Sequence, residues 1–339
     1  MQITVLDDYQ DAVRKLQCAQ HLAGHDLKVF NNTVKGIGQL GVRLRDAQAV
    51  VLIRERTTLS RQLLEKCPKL RLVVQTGPLG PNVDLDACTE LGIAVCEGDS
   101  DPAATAELTW ALVMAATRRL PQYISSLKHG AWQQSGLKSQ SMPPNFGLGQ
   151  RLAGKTFGIW GFGRIGQRVA HYAAAFDMRV LVWGSERSRA LAVEMGYAAA
   201  PSRLSLFTDS DVLSLHLRSS DATRGLITLA DLLQMKPTAV LVNTARPDLL
   251  APDALVAALN RGRPGMAAVD VFETEPILQG QPLLRLENAI CTPHIGFVEQ
   301  EHYEHLFSQA FSTIAAFAAG DTSRVVNPQA LARSRPAPD

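Results

Sequence analysis

Several features that mark large classes of protein are missing from this chain. Its five cysteines, Cys18, Cys67, Cys88, Cys96 and Cys291, are odd in number and scattered, with no Cys-x-x-Cys pair. That excludes a disulfide framework, argues against structural zinc, and fits a reduced, cytoplasmic protein. An excess of one charge is also missing. The 34 Lys and Arg face 32 Asp and Glu, for a net charge of +2, so no strong field draws the chain to nucleic acid or to a membrane surface. No apolar stretch reaches membrane-spanning length without a charge, a glycine or a proline. The opening residues, Met1 to Asp8, have neither a basic start nor an apolar targeting core, so no signal peptide is expected. Internal repeats and low-complexity segments are absent as well.

Hydrophobic residues make up 46% of the 339 and charged residues 19%, a globular composition long enough for two domains. Short apolar runs alternate with helix-length segments. Strands are expected at residues 3–6, 27–30, 49–53, 70–75 and 93–96, with an amphipathic helix at 59–67. A second series places strands at 156–160, 179–183, 211–217, 239–243, 267–272 and 289–291. Such alternation predicts parallel sheets covered by helices on both faces. Residues 103–120 contain no helix breaker, follow Pro102, and are apolar on almost every face. They predict one helix buried on almost every face, crossing between domains or forming a subunit interface. Residues 130–149 read as a long loop in which Trp132 and Phe146 are candidate pocket aromatics. Residues 303–319 form a final helix expected to pack back on the first domain.

The apolar run Phe157-Gly158-Ile159-Trp160 leads without a gap into Gly161-Phe162-Gly163-Arg164-Ile165-Gly166, and a helix pattern follows. In a strand–turn–helix unit the first glycine permits the tight turn, the second admits a pyrophosphate and the third lets helix and strand pack closely. The free N–H groups of the helix start then face phosphate charge. This predicts a dinucleotide site. An acid is expected at the end of the next strand to hold the ribose hydroxyls, but Gly184 stands there. Glu186 could still reach the ribose, or Arg187 with Ser185 and Ser188 could hold a 2′-phosphate, so NAD and NADP both remain open.

Three further strands end in polar residues: Arg246 after 239–243, Glu275 after 267–272, and His294 after 289–291. Ligands of open α/β sheets bind beyond the carboxyl ends of strands, which points all three toward the glycine turn. Hydride transfer to a carbonyl leaves an alkoxide that needs a proton, and an imidazolium can supply it near neutral pH. A carboxylate orients that ring, and an arginine clamps a substrate carboxylate.

With these strings the sequence resembles the D-isomer-specific 2-hydroxyacid dehydrogenase family, which includes D-3-phosphoglycerate dehydrogenases and glyoxylate/hydroxypyruvate reductases. The matching strings are Gly158 to Gly166, Asn243-Thr244-Ala245-Arg246, Val269 to Pro276, and Thr292-Pro293-His294-Ile295-Gly296. Asp211 to His216 and Asn327-Pro328 also match. The resemblance implies a two-domain α/β protein. A Rossmann-type doubly wound dinucleotide-binding domain would span 102–297, and a smaller flavodoxin-like substrate domain 1–101 and 298–339. It also implies NAD(P)-dependent interconversion of a small 2-oxo acid and its D-2-hydroxy acid, carried out by a homodimer. His294 would be the general acid/base, Glu275 its support and Arg246 the substrate clamp. His216, Thr244 and Ala245 would lie on the cofactor side, and Asp270 would face the nicotinamide amide. The turn from Val74 to Gly80, through Thr76, Gly77 and Pro78, would give backbone N–H groups to the substrate carboxylate, and Arg54 or Arg56 could hold a phosphate or second carboxylate.

Four positions depart from the family pattern: Gly184 for an acid, Pro247 for glycine, Arg218 for proline, and Pro78 in a turn that is usually richer in glycine. These departures keep a second reading open, a dinucleotide-binding redox sensor of the corepressor kind. Formate oxidation is disfavoured because Glu275 stands where those relatives carry glutamine.

Overall fold

The computed structural model describes residues 1–138, 142–277 and 280–333. Residues 139–141 of the expected long loop and 334–339 of the expected final segment lie outside the described residues. The chain falls into two compact units, Met1–Asp101 with Glu299–Asp339, and Pro102–Val298.

The first unit holds β1 Gln2–Leu6, β2 Asp26–Val29, β3 Ala49–Leu52, β4 Leu72–Gln75 and β5 Ala94–Glu97. They pair in parallel in the order β2-β1-β3-β4-β5. Every residue of β3 and β4 is buried, as a parallel sheet covered on both faces requires. The Gln300–Ala318 helix belongs to this unit. It buries Tyr303, Leu306, Phe307, Ala310, Phe311 and Ile314 at three- and four-residue spacing, and Glu299 caps its start by accepting the Glu301 and His302 N–H groups. The helix expected at 59–67 is only Arg61–Leu64.

The second unit holds β6 Thr156–Trp160, β7 Arg179–Trp183, β8 Ala198–Ala199, β9 Val212–Leu215, β10 Val240–Asn243, β11 Met266–Val269 and β12 Ala289–Cys291. The sheet runs β12-β11-β10-β9-β6-β7-β8. The α/β, doubly wound expectation holds, and all six expected strands form. The seventh, β8, is two alanines at the sheet edge, too short and too weakly β-forming to leave a sequence signal. The direction of winding reverses between β6 and β9, which opens a crevice at their carboxyl ends. Alternate residues feed two cores. Phe157, Ile159, Val182, Val212 and Val242 pack on one face, and Trp160, Leu181, Leu213, Leu241 and Val269 on the other. Burying one large side chain of this kind contributes about 1.5–3 kcal/mol.

The apolar helix expected over 103–120 ends sooner, as Pro102–Thr117. Ala106, Leu112, Val113 and Ala116 pack against Phe157, Val169 and Ala170, so its apolar surface covers the sheet of its own unit. Arg119 breaks the helix with φ 57°, and a separate helix, Leu120–Lys128, follows. Arg119 is fully buried. It donates from Nε to the Phe146 carbonyl at 3.2 Å and from Nη1 to the Ala116 carbonyl at 2.5 Å, and its guanidinium lies 4.1 Å from the Phe146 ring centroid. Burial pushes its pKa down to about 10, which leaves it charged at neutral pH. Phe146 therefore works in packing, and Trp132 is exposed. Arg119→Met would strand both carbonyls and should cost about 2–4 kcal/mol. Thermal unfolding measures this, and an unchanged melting temperature contradicts the assigned role.

Candidate active site

Strand register sets the site. Trp160 pairs with both Trp183 and Leu215, Asn243 with Leu215 and Val269, and Val269 with Cys291. The residues just beyond these ends therefore share one edge of the second unit's sheet.

At β6 the turn requires glycine at Gly161 and Gly166. Gly161 has φ +99°, and a Cβ there would stand 2.6 Å from the His216 carbonyl oxygen. A Cβ on Gly166 would stand 2.3 Å from the Gly161 carbonyl oxygen. Around Gly163, by contrast, a Cβ would meet nothing within 4 Å. Gly163 is the N-cap of the Arg164–Ala175 helix and offers no side-chain hydrogen bond to it, so the first N–H groups are left for an anion. Phe162 is buried, and Ile165 is partly buried against the core. This turn fits a pyrophosphate. Beyond β7, Ser185, Glu186 and Arg187 are exposed at the start of the Glu186–Glu194 helix, where Ser185 accepts the Ser188 N–H at 3.2 Å. His216 lies 2.9 Å from the Ser214 hydroxyl through Nε2. Burial pushes its pKa down to about 4, so the ring is neutral near pH 7.

Beyond β10, Asn243 shapes the next turn. Its Nδ2 donates to the Arg246 carbonyl at 2.9 Å, and its Oδ1 accepts the Ala245 N–H at 3.0 Å. The Thr244 hydroxyl is 2.7 Å from that of Thr109. Arg246 is extended, φ −148° and ψ 143°, as the following Pro247 favours.

A close histidine–carboxylate pair lies beyond β11 and β12. His294 Nδ1 is 2.7 Å from Glu275 Oε2, and Glu275 Oε1 accepts the Phe272 N–H at 2.9 Å. Burial opposes the charge on Glu275, but the hydrogen bond and charge of His294 outweigh it and hold the carboxyl below its usual value of 4.5. His294 sits at φ 52°, a left-handed conformation costly for a residue with a Cβ. Asp270 holds it there. Asp270 Oδ1 accepts the Thr292 hydroxyl at 2.6 Å and the Ile295 N–H at 2.9 Å, and Oδ2 accepts the Gly296 N–H at 2.8 Å. Both Asp270 oxygens thus brace the loop. This bracing, and the part of Thr292 in it, escaped the sequence reading because no local pattern announces it.

In the first unit, Arg54 has φ 54° and donates its N–H to the Thr76 hydroxyl at 3.0 Å. Gly77 has φ +76°, and a Cβ on it would stand 2.0 Å from Arg54 Nη1, so Arg54, Thr76 and Gly77 are brought together. Pro78 offers its carbonyl to Gln75 Nε2 at 2.8 Å. Arg56 goes elsewhere. It donates to the Asp7 carbonyl at 2.7 Å and lies 4.6 Å from the Tyr9 ring centroid, contacts within the unit's own framework.

Residues 110–296 match the family model described as D-isomer specific 2-hydroxyacid dehydrogenase, NAD binding domain. A glyoxylate reductase of Aeropyrum pernix is 39% identical over 82% of this chain and 82% of its own. A D-3-phosphoglycerate dehydrogenase of Methanocaldococcus jannaschii is 36% identical over 76% of this chain and 47% of its own. The crystal structure of an oxidoreductase from Ralstonia solanacearum superposes with a TM-score of 0.97 at 60% identity, covering 98% of each chain.

A carboxyl held below its usual range stabilises the fold above that range, and the contribution is lost as pH falls through the depressed value. The stability gap between the native chain and Glu275→Gln should therefore be full at pH 7 and shrink only as pH falls below the ordinary carboxyl value of 4.5. Melting temperatures from pH 7 to pH 3 measure it, and a gap independent of pH contradicts the pairing.

Proposed function

On the premise that this chain belongs to the D-isomer specific 2-hydroxyacid dehydrogenase family, we propose how its own residues carry out the reaction of that family. The protein is an oxidoreductase that uses NAD or NADP to interconvert a small 2-oxo acid and its D-2-hydroxy acid. When bound, the dinucleotide supplies or receives the hydride at its nicotinamide ring. The turn Gly161–Gly166 holds the pyrophosphate against the N–H groups of the helix start, which makes Pro102–Val298 the dinucleotide-binding unit and the other unit the substrate domain. Arg246 clamps the carboxylate of the acid.

His294 supplies the proton. With Nδ1 tied to Glu275, Nε2 is the atom left to protonate the substrate oxygen in reduction and to take the proton back in oxidation. The observation that carries the reading is the 2.7 Å contact between His294 and Glu275. The regulator reading is not favoured, because the matching relatives are named reductases and dehydrogenases.

Within this reading the protein is cytoplasmic. All five thiols are free, and among the described residues no helix is long and apolar enough to cross a membrane. It works as a homodimer. Leu120, Ile124 and Leu127 lie on one face of the Leu120–Lys128 helix at 46%, 53% and 56% exposure, an apolar stripe that a second copy would cover. Ile124→Lys should shift the species seen by light scattering from dimer to monomer, and an unshifted dimer contradicts this surface.

His294→Ala should bind NAD(H) or NADP(H) as the native chain does. With glyoxylate or hydroxypyruvate as substrate, its kcat/KM should fall by about a hundredfold or more. Turnover equal to that of the native protein rules out His294 as the proton donor.

A further inference from the structure

The proposed function leaves the dinucleotide open between NAD and NADP. We propose that the carboxyl ends of β6, β7 and β9 form a binding site for a ribose 2′-phosphate, so that the protein takes NADP(H) in preference to NAD(H). The inference rests on the cofactor role given above to the glycine turn.

Two independent observations carry it. The first is Gly184, the residue directly after β7. A Cβ there would stand 3.8 Å from the Gly161 N and 3.3 Å from Ser188 Cβ, so this position faces the glycine turn across the adenosine end of the crevice. An acid at this place accepts the ribose hydroxyls of NAD and repels a 2′-phosphate. Glycine does neither.

The second is cationic. β6, β7 and β9 are neighbours in the sheet, and each sends an exposed arginine just past its end: Arg164, Arg187 and Arg218. None of the three guanidinium groups pairs with a carboxylate among the described residues. A fourth, Arg189, lies 4.8 Å from the Trp183 ring centroid, beside Gly184. The Ser185 and Ser188 hydroxyls are 3.0 Å apart at the same helix start and add neutral donors.

Glu186 is the one carboxylate in residues 184–189. It lies in the exposed first turn of its helix, where the helix dipole stabilises it, and the arginines outnumber it. A phosphate carries close to two charges where a hydroxyl carries none, so the balance at this end favours the phosphorylated ribose.

Calorimetric titration of the full chain with NADPH and with NADH, without substrate, tests the site apart from catalysis. NADPH should bind about tenfold or more tightly than NADH at low ionic strength, and the difference should shrink as salt is raised. Arg187→Ala should weaken NADPH about tenfold and NADH less than threefold, and Gly184→Asp should reverse the preference. Equal binding, or tighter NADH, overturns the 2′-phosphate site while leaving the dehydrogenase reading intact. Failure of either dinucleotide to bind overturns the cofactor role of the glycine turn, and this inference with it.

Discussion

Asp270 is the constraint on which the geometry around His294 depends. It sits at the first position beyond β11, almost wholly buried, and its two oxygens collect the Thr292 hydroxyl and the Ile295 and Gly296 N–H groups. Those three contacts bracket His294 on both sides. With the His294 N–H bonded to the Thr292 carbonyl at 3.0 Å, they hold an imidazole-bearing residue at φ 52°, a conformation that costs of order 1–3 kcal/mol. The left-handed backbone presents the ring so that Nδ1 meets Glu275 at 2.7 Å. One buried carboxylate thus fixes the backbone, the backbone fixes the ring, and a second carboxylate fixes the tautomer.

The same economy of backbone governs the other end of the sheet. Gly161 and Gly166 are required by close approach to carbonyl oxygens, while Gly163 leaves space on the ligand side. The direction of winding reverses between β6 and β9, so the turn opens into a crevice at the strand ends. The glycine turn and the His294–Glu275 pair lie at opposite halves of one edge, joined by β9 and β10.

Much of this was legible in the sequence, for a physical reason. Buried parallel strands read as continuous apolar runs, glycine turns follow from steric needs within a few residues, and a polar residue just past an apolar run marks a strand end. Gly161–Gly166, Arg246, Glu275 and His294 could be picked out on those grounds. What was not legible depends on distant partners. The break at Arg119 relies on the Phe146 carbonyl, the diversion of Arg56 relies on Asp7 and Tyr9, and the bracing by Asp270 relies on residues 22 to 26 positions further on. The apolar helix after Pro102 buries Ala106, Leu112, Val113 and Ala116 within its own unit, a packing that composition cannot tell from burial against another chain.

The most direct measurement of the central claim is kcat/KM for reduction of a 2-oxo acid by the native chain and by Glu275→Gln, with dinucleotide binding measured alongside. Glu275 orients the His294 ring through the Nδ1 contact and leaves Nε2 for the substrate. Glu275→Gln should therefore lower kcat/KM by about tenfold or more while dinucleotide binding stays that of the native chain. A kcat/KM equal to that of the native protein would contradict a proton delivered by His294 under the control of Glu275.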